Sequence, residues 1–433
     1  MGAYKYQSWA RSLAISREID VLHLNSPCRQ AVQLVWLAVC LLSSTVRGLS
    51  NVEHELSFER VREAIEQWKP DSRQSPTLSN SPAQLTMKRL GAADRGDPYA
   101  QLALAQMYSE GSNVPLNLDE AAKWYRKAAD QGLAKAQCLL AVCYHFGKGV
   151  TNDYKQAAEW YRRASVQGYA PAQSNLGILY DSGLGVPLDH GEALKRYQEA
   201  ARQGYAMAQH NIGVSFARGE GVAQDFAAAA KWYRLAAEAG YGPAQNNLGN
   251  ALRNGLGVAR NVAEAVQWYR KAAEQGISDS QAACGLSFLF GEGVKSNRTE
   301  ALQWFRSAAE QGHPLGLYFV GMSFVDGSAG VTNLNKAVTY LRASADLGLA
   351  SAQTDLGFLY RTGTGVTKDL DEAFYWLSLA SRQGIGRAQR QTNYLASLMT
   401  DEDRAAIARK VSGFVPRPWI DSTNRFLPGS KAP

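Results

Sequence analysis

Residues 229–240 read AAKWYRLAAEAG, and residues 265–276 read AVQWYRKAAEQG. The two stretches lie 36 residues apart, and the same spacing continues in both directions along the chain. Self-similarity at a constant period of this length is typical of solenoids, in which each copy forms one supersecondary unit. Eight units cover residues 97–384. Three columns of small residues mark them, namely Ala121, Ala157, Ala193, Ala229, Ala265, Ala301, Ala337 and Ala373; Gly132, Gly168, Gly204, Gly240, Gly276, Gly312, Gly348 and Gly384; and Gly111, Gly147, Gly183, Gly219, Gly255, Gly291, Gly327 and Gly363.

Each unit contains the pattern of two helices. In unit three, Ala172, Leu176 and Tyr180 share one face of a first helix, called helix A, which Gly183 ends. A short turn, commonly GxGV, then leads to a position that is always Asp or Asn, which is typical of the residue that caps a second helix, called helix B. These capping positions are Asn117, Asp153, Asp189, Asp225, Asn261, Asn297, Asn333 and Asp369. The pattern predicts an all-α fold: a right-handed superhelical α/α solenoid of helix-turn-helix repeats with a period of 36 residues.

The N-terminal residues 1–48 contain an unbroken apolar run from Leu34 to Leu42. Nine residues are too few to cross a bilayer as a helix, but they fit the apolar region of a secretory signal. We therefore expect export to the periplasm or the medium, and the alternatives are an inner-membrane anchor through residues 31–46 and a buried helix of a soluble protein. Removing residues 1–48 would lower the net charge of the chain from +7 to +4, which weakens any argument for nucleic-acid binding.

The remaining segments flank the repeats. Phe58, Val61, Ile65 and Trp68 share one face of an amphipathic helix, and a Pro- and Ser-rich stretch follows. The predicted segments are an amphipathic helix and linker over 49–83, a partial repeat over 84–96, C-terminal capping helices over 385–412, and a tail over 413–433 that is expected to be loose from Pro416 onward.

Chemical motifs are scarce in the sequence. The five cysteines are scattered, the six histidines have no metal-ligand spacing, and no Ser/His/Asp set can be placed. We therefore predict no enzyme activity, no metal site and no cofactor. The GxG turns follow helices rather than strands, so a turn requirement explains them better than phosphate binding does. Five arginines of helix B have an acidic residue four positions later, which predicts ion pairs within the helix.

The motifs LGILY at 176–180, GLGV at 183–186 and AAKWYRLAAEAG at 229–240 resemble those of the Sel-one-like repeat family, a branch of the tetratricopeptide-like solenoids. The resemblance covers residues 97–384. It implies an adaptor that assembles protein complexes, and bacterial members of the family are often exported. One cysteine-rich branch carries a disulfide in each unit and hydrolyses β-lactams. The slots matching its cysteines are Ala129, Gln137, Ser165 and Gln173, so its disulfides and hydrolase activity are not expected here.

The resemblance also implies that helix A lines the concave groove. Its outward positions are polar in units four and five and apolar in units six to eight, which favours a groove for a protein or peptide partner. The alternative is that these side chains contact the next helix or the C-terminal cap. The candidate partner-binding residues are His210, Asn246, Asn250, Arg253, Leu286, Leu289, Tyr318, Met322, Val325, Phe358 and Arg361.

We therefore predict a non-enzymatic scaffold that binds a protein or peptide, in the bacterial cell envelope or at a host interface. One alternative is a β-lactam or cell-wall hydrolase, which turnover of nitrocefin would detect. A second is a binder of anionic polymers, because Trp/Tyr pairs alternate with arginines along helix B. Binding of that kind would depend steeply on salt.

Overall fold

The computed structural model describes residues 82–417, and this part of the chain consists of 19 α-helices without a strand. The predicted amphipathic helix of residues 53–68, the signal or anchor of residues 1–48 and the end of the tail beyond residue 417 lie outside the described residues. Within 82–417, no helix combines the length and the apolar character needed to cross a bilayer.

Sixteen of the helices form the eight predicted pairs. Helix A of units one to eight is α2 (Pro98–Glu110), α4 (Ala134–Phe146), α6 (Ala170–Ser182), α8 (Ala206–Arg218), α10 (Gly242–Asn254), α12 (Ser278–Phe290), α14 (Pro314–Val325) and α16 (Ala350–Thr362). Helix B is α3 (Leu118–Asp130), α5 (Tyr154–Val166), α7 (His190–Ala201), α9 (Phe226–Glu238), α11 (Val262–Glu274), α13 (Arg298–Glu310), α15 (Leu334–Asp346) and α17 (Leu370–Arg382). Each helix packs chiefly on the helices directly before and after it, which confirms the all-α solenoid.

The ends of the helices lie where the sequence predicts them. The side chain of every predicted Asp or Asn cap accepts a hydrogen bond from a backbone N–H in the first turn of helix B. The glycine that ends helix A has a positive φ in all eight units, as in Gly183 at 63°. The second glycine of the GxG turns also has a positive φ, which confirms that a turn requirement explains this motif.

An aromatic side chain of helix B fills the space over a small residue of helix A. Tyr197 and Tyr269 are almost completely buried, and they lie against Gly177 and Gly249. A Cβ atom built on either glycine would come within 2.6 Å of the facing ring. Burial of such rings supplies the apolar driving force for stacking the units.

Glutamine side chains link the units along the stack. The side-chain amide of a glutamine just after helix B donates to the side-chain oxygen of a glutamine in helix A of the same unit. The side-chain amide of that helix A glutamine donates in turn to a backbone carbonyl at the end of the preceding helix. The six linked pairs are Gln131–Gln101, Gln167–Gln137, Gln203–Gln173, Gln275–Gln245, Gln311–Gln281 and Gln383–Gln353, at 2.8–2.9 Å. We call this set the glutamine ladder; it is interrupted in unit four by Ala239 and in unit seven by Leu347.

Helices outside the eight units extend both ends of the stack. At the N-terminal end, α1 (Pro82–Asp94) packs against α2, over the segment interpreted as a partial repeat. At the C-terminal end, α18 (Gly386–Ala396) and α19 (Asp401–Ser412) both pack on α17. Thr400 caps α19, because its hydroxyl accepts from the Asp403 N–H at 3.1 Å.

The beginning of the predicted loose tail is packed. Phe414 lies edge-on to Tyr375 and Trp376 of α17, and Pro416 lies against Gly348. The Arg417 N–H donates to the Asp346 carbonyl at 3.0 Å. The expectation of a loose tail from Pro416 onward is therefore wrong for Pro416 and Arg417.

Candidate functional site

Four of the five polar candidate residues lie on α8 and α10, and each is bonded to a neighbour inside the solenoid. The Asn246 side-chain oxygen accepts from the Ser280 hydroxyl at 2.7 Å, and that of Asn250 accepts from the Tyr269 hydroxyl at 2.7 Å. Arg253 forms an ion pair with Glu292 at 2.8 Å. The polar side of the predicted groove is thus largely satisfied by contacts within the stack.

His210 belongs to the same polar group but lies deeper. Its Nε2 is 3.0 Å from the side-chain amide nitrogen of Asn247, and its ring packs against Tyr233 and Tyr241. Burial lowers the pKa of His210 to about 4, so the ring is neutral near physiological pH. His210 therefore acts as a hydrogen-bonding aromatic in this structure and not as a charged contact.

The apolar candidate residues form a run across three consecutive A helices. Leu286 and Leu289 lie on α12, Tyr318, Met322 and Val325 on α14, and Phe358 on α16; all six side chains are half-buried. Leu286 and Leu289 pack beside the buried cluster of Phe288, Phe305 and Val320, whereas Tyr318 and Phe358 pack beside the cluster of units seven and eight. We call these six residues the apolar run.

Tyr318 is fixed by a contact with the next unit. Its hydroxyl donates to the Asp355 carboxylate at 2.9 Å, and burial raises the pKa of both groups above their usual values. Asp355 is absent from the residues predicted from the sequence. Its partner lies 37 residues away in the chain, so only the stacking of α14 beside α16 brings the two groups together.

Two arginines flank the aromatic end of the apolar run. The guanidinium of Arg387, on α18, lies 4.1 Å from the centre of the Phe358 ring, and that of Arg361 lies 5.3 Å from it. Arg361 also donates to the Gln391 side chain at 2.7 Å. Neither arginine forms an ion pair with a carboxylate among residues 82–417. Arg387 was not among the predicted residues because it follows the last unit.

The predicted ion pairs within helix B are wrong for three arginines. Arg234, Arg270 and Arg342 instead reach the next helix B, where they meet Glu264 at 2.9 Å, Glu300 at 2.8 Å and Glu372 at 3.7 Å. Each arginine pairs with a glutamate in the first turn of the following helix B rather than with the acidic residue four positions later in its own helix. The partial positive charge at the helix N-terminus holds that glutamate in place. These pairs join units to one another and hold the arginines along the stack.

The cysteines and two of the histidines among residues 82–417 are buried. Cys138, Cys143 and Cys284 are free, and burial raises their pKa values to about 12, 11 and 12. The thiols therefore stay protonated and are poor nucleophiles. His145 and His313 are buried as well. Residues 82–417 contain no cluster of His, Cys, Asp or Glu that would hold a metal ion.

Comparisons with known proteins agree with the repeat pattern. The Sel1 repeat family model matches eight consecutive segments, namely residues 98–133, 134–169, 170–205, 206–241, 242–277, 278–313, 314–349 and 350–385. No curated protein matches the chain significantly.

Two solved structures are similar. A Sel1 repeat protein from Oxalobacter formigenes is 29% identical with a TM-score of 0.50, over 77% of this chain and 99% of that one. The protein c5321, described as a protective antigen of uropathogenic Escherichia coli with an SLR fold, is 29% identical with a TM-score of 0.48, over 81% of this chain and 83% of that one.

Proposed function

Because the chain belongs to the Sel1 repeat family, whose members are generally protein-interaction scaffolds, we propose that it is a non-enzymatic scaffold that binds a protein or peptide along its A helices. The apolar run carries this proposal. Six half-buried apolar side chains follow one another over α12, α14 and α16, on a surface that three units build together. Apolar side chains that stay partly accessible across a stack favour the docking of a partner.

The contacts of units four and five limit where the partner lies. Asn246, Asn250 and Arg253 are occupied by a hydrogen bond within unit five or by contacts with unit six. A partner that took the bonds of the two asparagines would leave the hydroxyls of the buried residues Ser280 and Tyr269 unpaired, and a buried polar group left unpaired costs about 1–3 kcal/mol. We therefore place the main contact on units six to eight, with the polar positions at its border.

The arginines at the C-terminal end of the apolar run define the chemistry of the partner. Arg361 and Arg387 present positive charge on both sides of Phe358, and neither forms an ion pair within 4 Å among residues 82–417, although Arg387 acts on the Asp355 carboxylate at longer range. A segment with apolar anchors over Leu289 and Met322 and a carboxylate beside Phe358 would satisfy both features. The proposed ligand class is thus an apolar segment of a protein that ends in, or is followed by, acidic residues.

Affinity purification from the native cell tests this proposal with three baits: the wild-type chain, Met322→Glu and Val166→Glu. Met322 is half-buried in the apolar run, whereas Val166 is 83% exposed on α5, helix B of unit two. We expect the wild type and Val166→Glu to retain a set of bound proteins that Met322→Glu loses. Equal helix signals in circular dichroism would show that all three chains are folded. A set of bound proteins that is identical for all three baits would contradict the proposal, as would unchanged binding by the Tyr318→Ala, Met322→Ala double variant.

We also propose that the scaffold acts outside the cytoplasm, in the cell envelope or at a host interface. The nine consecutive apolar residues at 34–42 support this, since a stretch of that length suits a secretory signal. Fractionation of the native cell, with sequencing of the N-terminus of the chain, tests the idea. Export predicts a chain in the periplasm or medium that begins near residue 48, and recovery of the full-length chain in the cytoplasm would contradict it.

A further inference from the structure

The chain binds a short segment of itself on its B helices. After α19, residues 414–417 run from the middle of α17 to the end of α15, in the groove between the helix B of unit seven and that of unit eight. Phe414 lies 6.4 Å from the Trp376 ring, centre to centre. Pro416 covers Gly348, where a built Cβ would be 3.1 Å from the proline ring.

The last residue of this segment uses polar groups at the end of α15. The Arg417 N–H donates to the Asp346 carbonyl, and its guanidinium lies 3.7 Å from the Asp346 carboxylate. The last carbonyls of an α-helix have no donor within the helix, so they are available to a bound segment. The groove thus recognises an aromatic side chain, then proline two residues later, then arginine.

The groove between units five and six repeats these features, and no segment of residues 82–417 covers it. Trp304, Gly276 and Glu274 stand 72 residues before Trp376, Gly348 and Asp346, at the same positions of their units. Within the described part of the chain, the space above Gly276 is open, with no atom within 4 Å of a built Cβ. Trp304 is half-buried, whereas Trp376 is 3% exposed.

Two contacts make the geometry of these grooves alike. In both, a ladder glutamine donates to the glycine carbonyl at 3.0 Å, from Gln311 to Gly276 and from Gln383 to Gly348. In both, an arginine pairs with a glutamate of the next helix B, as in Arg270 with Glu300.

The neighbouring grooves depart from this pattern. Lys271 covers the ring of Trp268 at 4.1 Å in the groove between units four and five. A tyrosine, Tyr340, replaces the tryptophan between units six and seven. Arg202 replaces the acidic residue between units three and four, which would repel an arginine.

We propose that the groove between α11 and α13, formed by Glu274, Gly276 and Trp304, binds an extended segment of another protein that carries an aromatic residue, a proline two residues later and then an arginine. The aromatic ring packs on Trp304, the proline fills the space over Gly276, and the arginine pairs with Glu274. This surface is separate from the apolar run, so the scaffold would hold a second partner on its B helices.

The test uses the full chain and a capped, fluorescein-labelled peptide, Gly-Phe-Val-Pro-Arg, that copies residues 413–417. Fluorescence anisotropy measures its binding. The groove between units seven and eight keeps its own segment, because a tethered segment has a high effective concentration that a free peptide does not overcome. We expect saturable binding to the wild-type chain.

Glu274→Lys should weaken this binding at least about fivefold, because the new lysine repels the peptide arginine. Glu310→Lys makes the same charge change at the matching position of the next unit and should leave the affinity within about twofold. Peptides with Phe→Ala or Arg→Glu should each bind more weakly than the parent. Both lysine variants change exposed side chains, and equal helix signals would show that they fold.

Three results would overturn the proposal. The first is the absence of saturable binding, and the second is an equal loss in Glu274→Lys and Glu310→Lys, which would indicate general charge attraction. The third comes from sedimentation of the chain without peptide. Self-association that disappears in Glu274→Lys and on deletion of residues 413–433 would show that the occupant is the tail of a second copy and not another protein.

Discussion

The second glycine of each GxG turn lies where two consecutive units touch. In unit five, a Cβ built on Gly257 would be 2.1 Å from the carbonyl of Phe226, at the start of the preceding helix B. The same glycine also has a φ of 68°, which disfavours any residue with a side chain. Two separate constraints, backbone conformation and contact with the neighbouring unit, therefore act on this one position.

Gly257→Ala should separate these constraints when it is compared with Gly276→Ala. Both glycines have a positive φ, but the space beside Gly276 is open. An L-residue in this region costs about 1–2 kcal/mol, and overpacking against backbone adds about 1–3 kcal/mol or more. We expect Gly257→Ala to lower the free energy of unfolding by at least about 2 kcal/mol more than Gly276→Ala does in urea denaturation. Equal losses would show that the close approach to Phe226 relaxes without cost.

His145 gives the chain a dependence on pH. It is 4% exposed, it stacks on Phe146, and neither ring nitrogen has a hydrogen-bond partner among residues 82–417. Burial lowers its pKa to about 4. The unfolded chain binds a proton here near pH 6.5, so stability is complete above that value and is lost as the pH falls toward about 4.

Between about pH 7 and pH 5, His145 should account for a loss of about 2 kcal/mol in the free energy of unfolding. His145→Leu should remove this loss, because leucine does not titrate. The substitution should fit, since Leu289 occupies the same position in unit six. His210, whose pKa is also about 4, keeps part of the dependence in the variant. Denaturation curves at the two pH values measure the change. An unaltered difference between the two pH values in His145→Leu would exclude this residue as the cause.

At the scale of the helices, the glutamine ladder has a gap in unit four. Ala239 stands where the ladder has a glutamine, and the side-chain oxygen of Gln209 is buried without a hydrogen-bond partner. The backbone at Ala239 resembles that at the ladder residue Gln275, with φ and ψ of −72° and 3° against −82° and 1°. A glutamine would therefore fit position 239 without strain.

Ala239→Gln should donate to Gln209 and raise the free energy of unfolding by about 1 kcal/mol, because a buried acceptor gains its donor. Ala239→Leu is the matched control, since it adds similar bulk without a donor and should give no such gain. Chemical denaturation of both variants checks this. If the Gln209→Leu background shows the same gain from Ala239→Gln, the ladder bond is not its source.

Local patterns determine the parts of the fold that the sequence predicts well. The caps and the glycines with positive φ depend on residues within one turn, such as Asp189 and Gly183, so the sequence shows them directly. The pairing of Arg270 with Glu300 crosses to the next unit, and Glu274 in its own helix fits the sequence pattern equally well. The pair of Tyr318 and Asp355 is a similar case, because the two side chains meet only through the stacking of neighbouring helices.

At the scale of the whole molecule, contacts between neighbouring units carry the stability. Each helix packs mainly on the one before and the one after, so the energy of the solenoid is close to a sum over neighbours. The candidate groove also belongs to this scale. The sequence predicts which positions of helix A point outward, but the half-burial of the apolar run and the flanking Arg387 depend on three units and the cap together.

The C-terminal cap offers a direct test of this additivity. Ile407 and Val411 of α19 are buried against α17, and this contact closes the last unit. Ile407→Asp places a charge in that contact and should cost about 3 kcal/mol or more. Since coupling passes only between neighbours, we expect local loosening of units seven and eight and the cap rather than global unfolding.

Hydrogen exchange measured by mass spectrometry on the full chain gives the spatial pattern of this effect. In Ile407→Asp, protection should fall in α15 to α19 and stay within error of the wild type in α2 to α7. Ala405→Asp, on the exposed face of the same helix, should leave both regions unchanged. A uniform loss of protection across all eight units would mean that the solenoid unfolds as one cooperative block, and that the single-neighbour description of its stability is wrong.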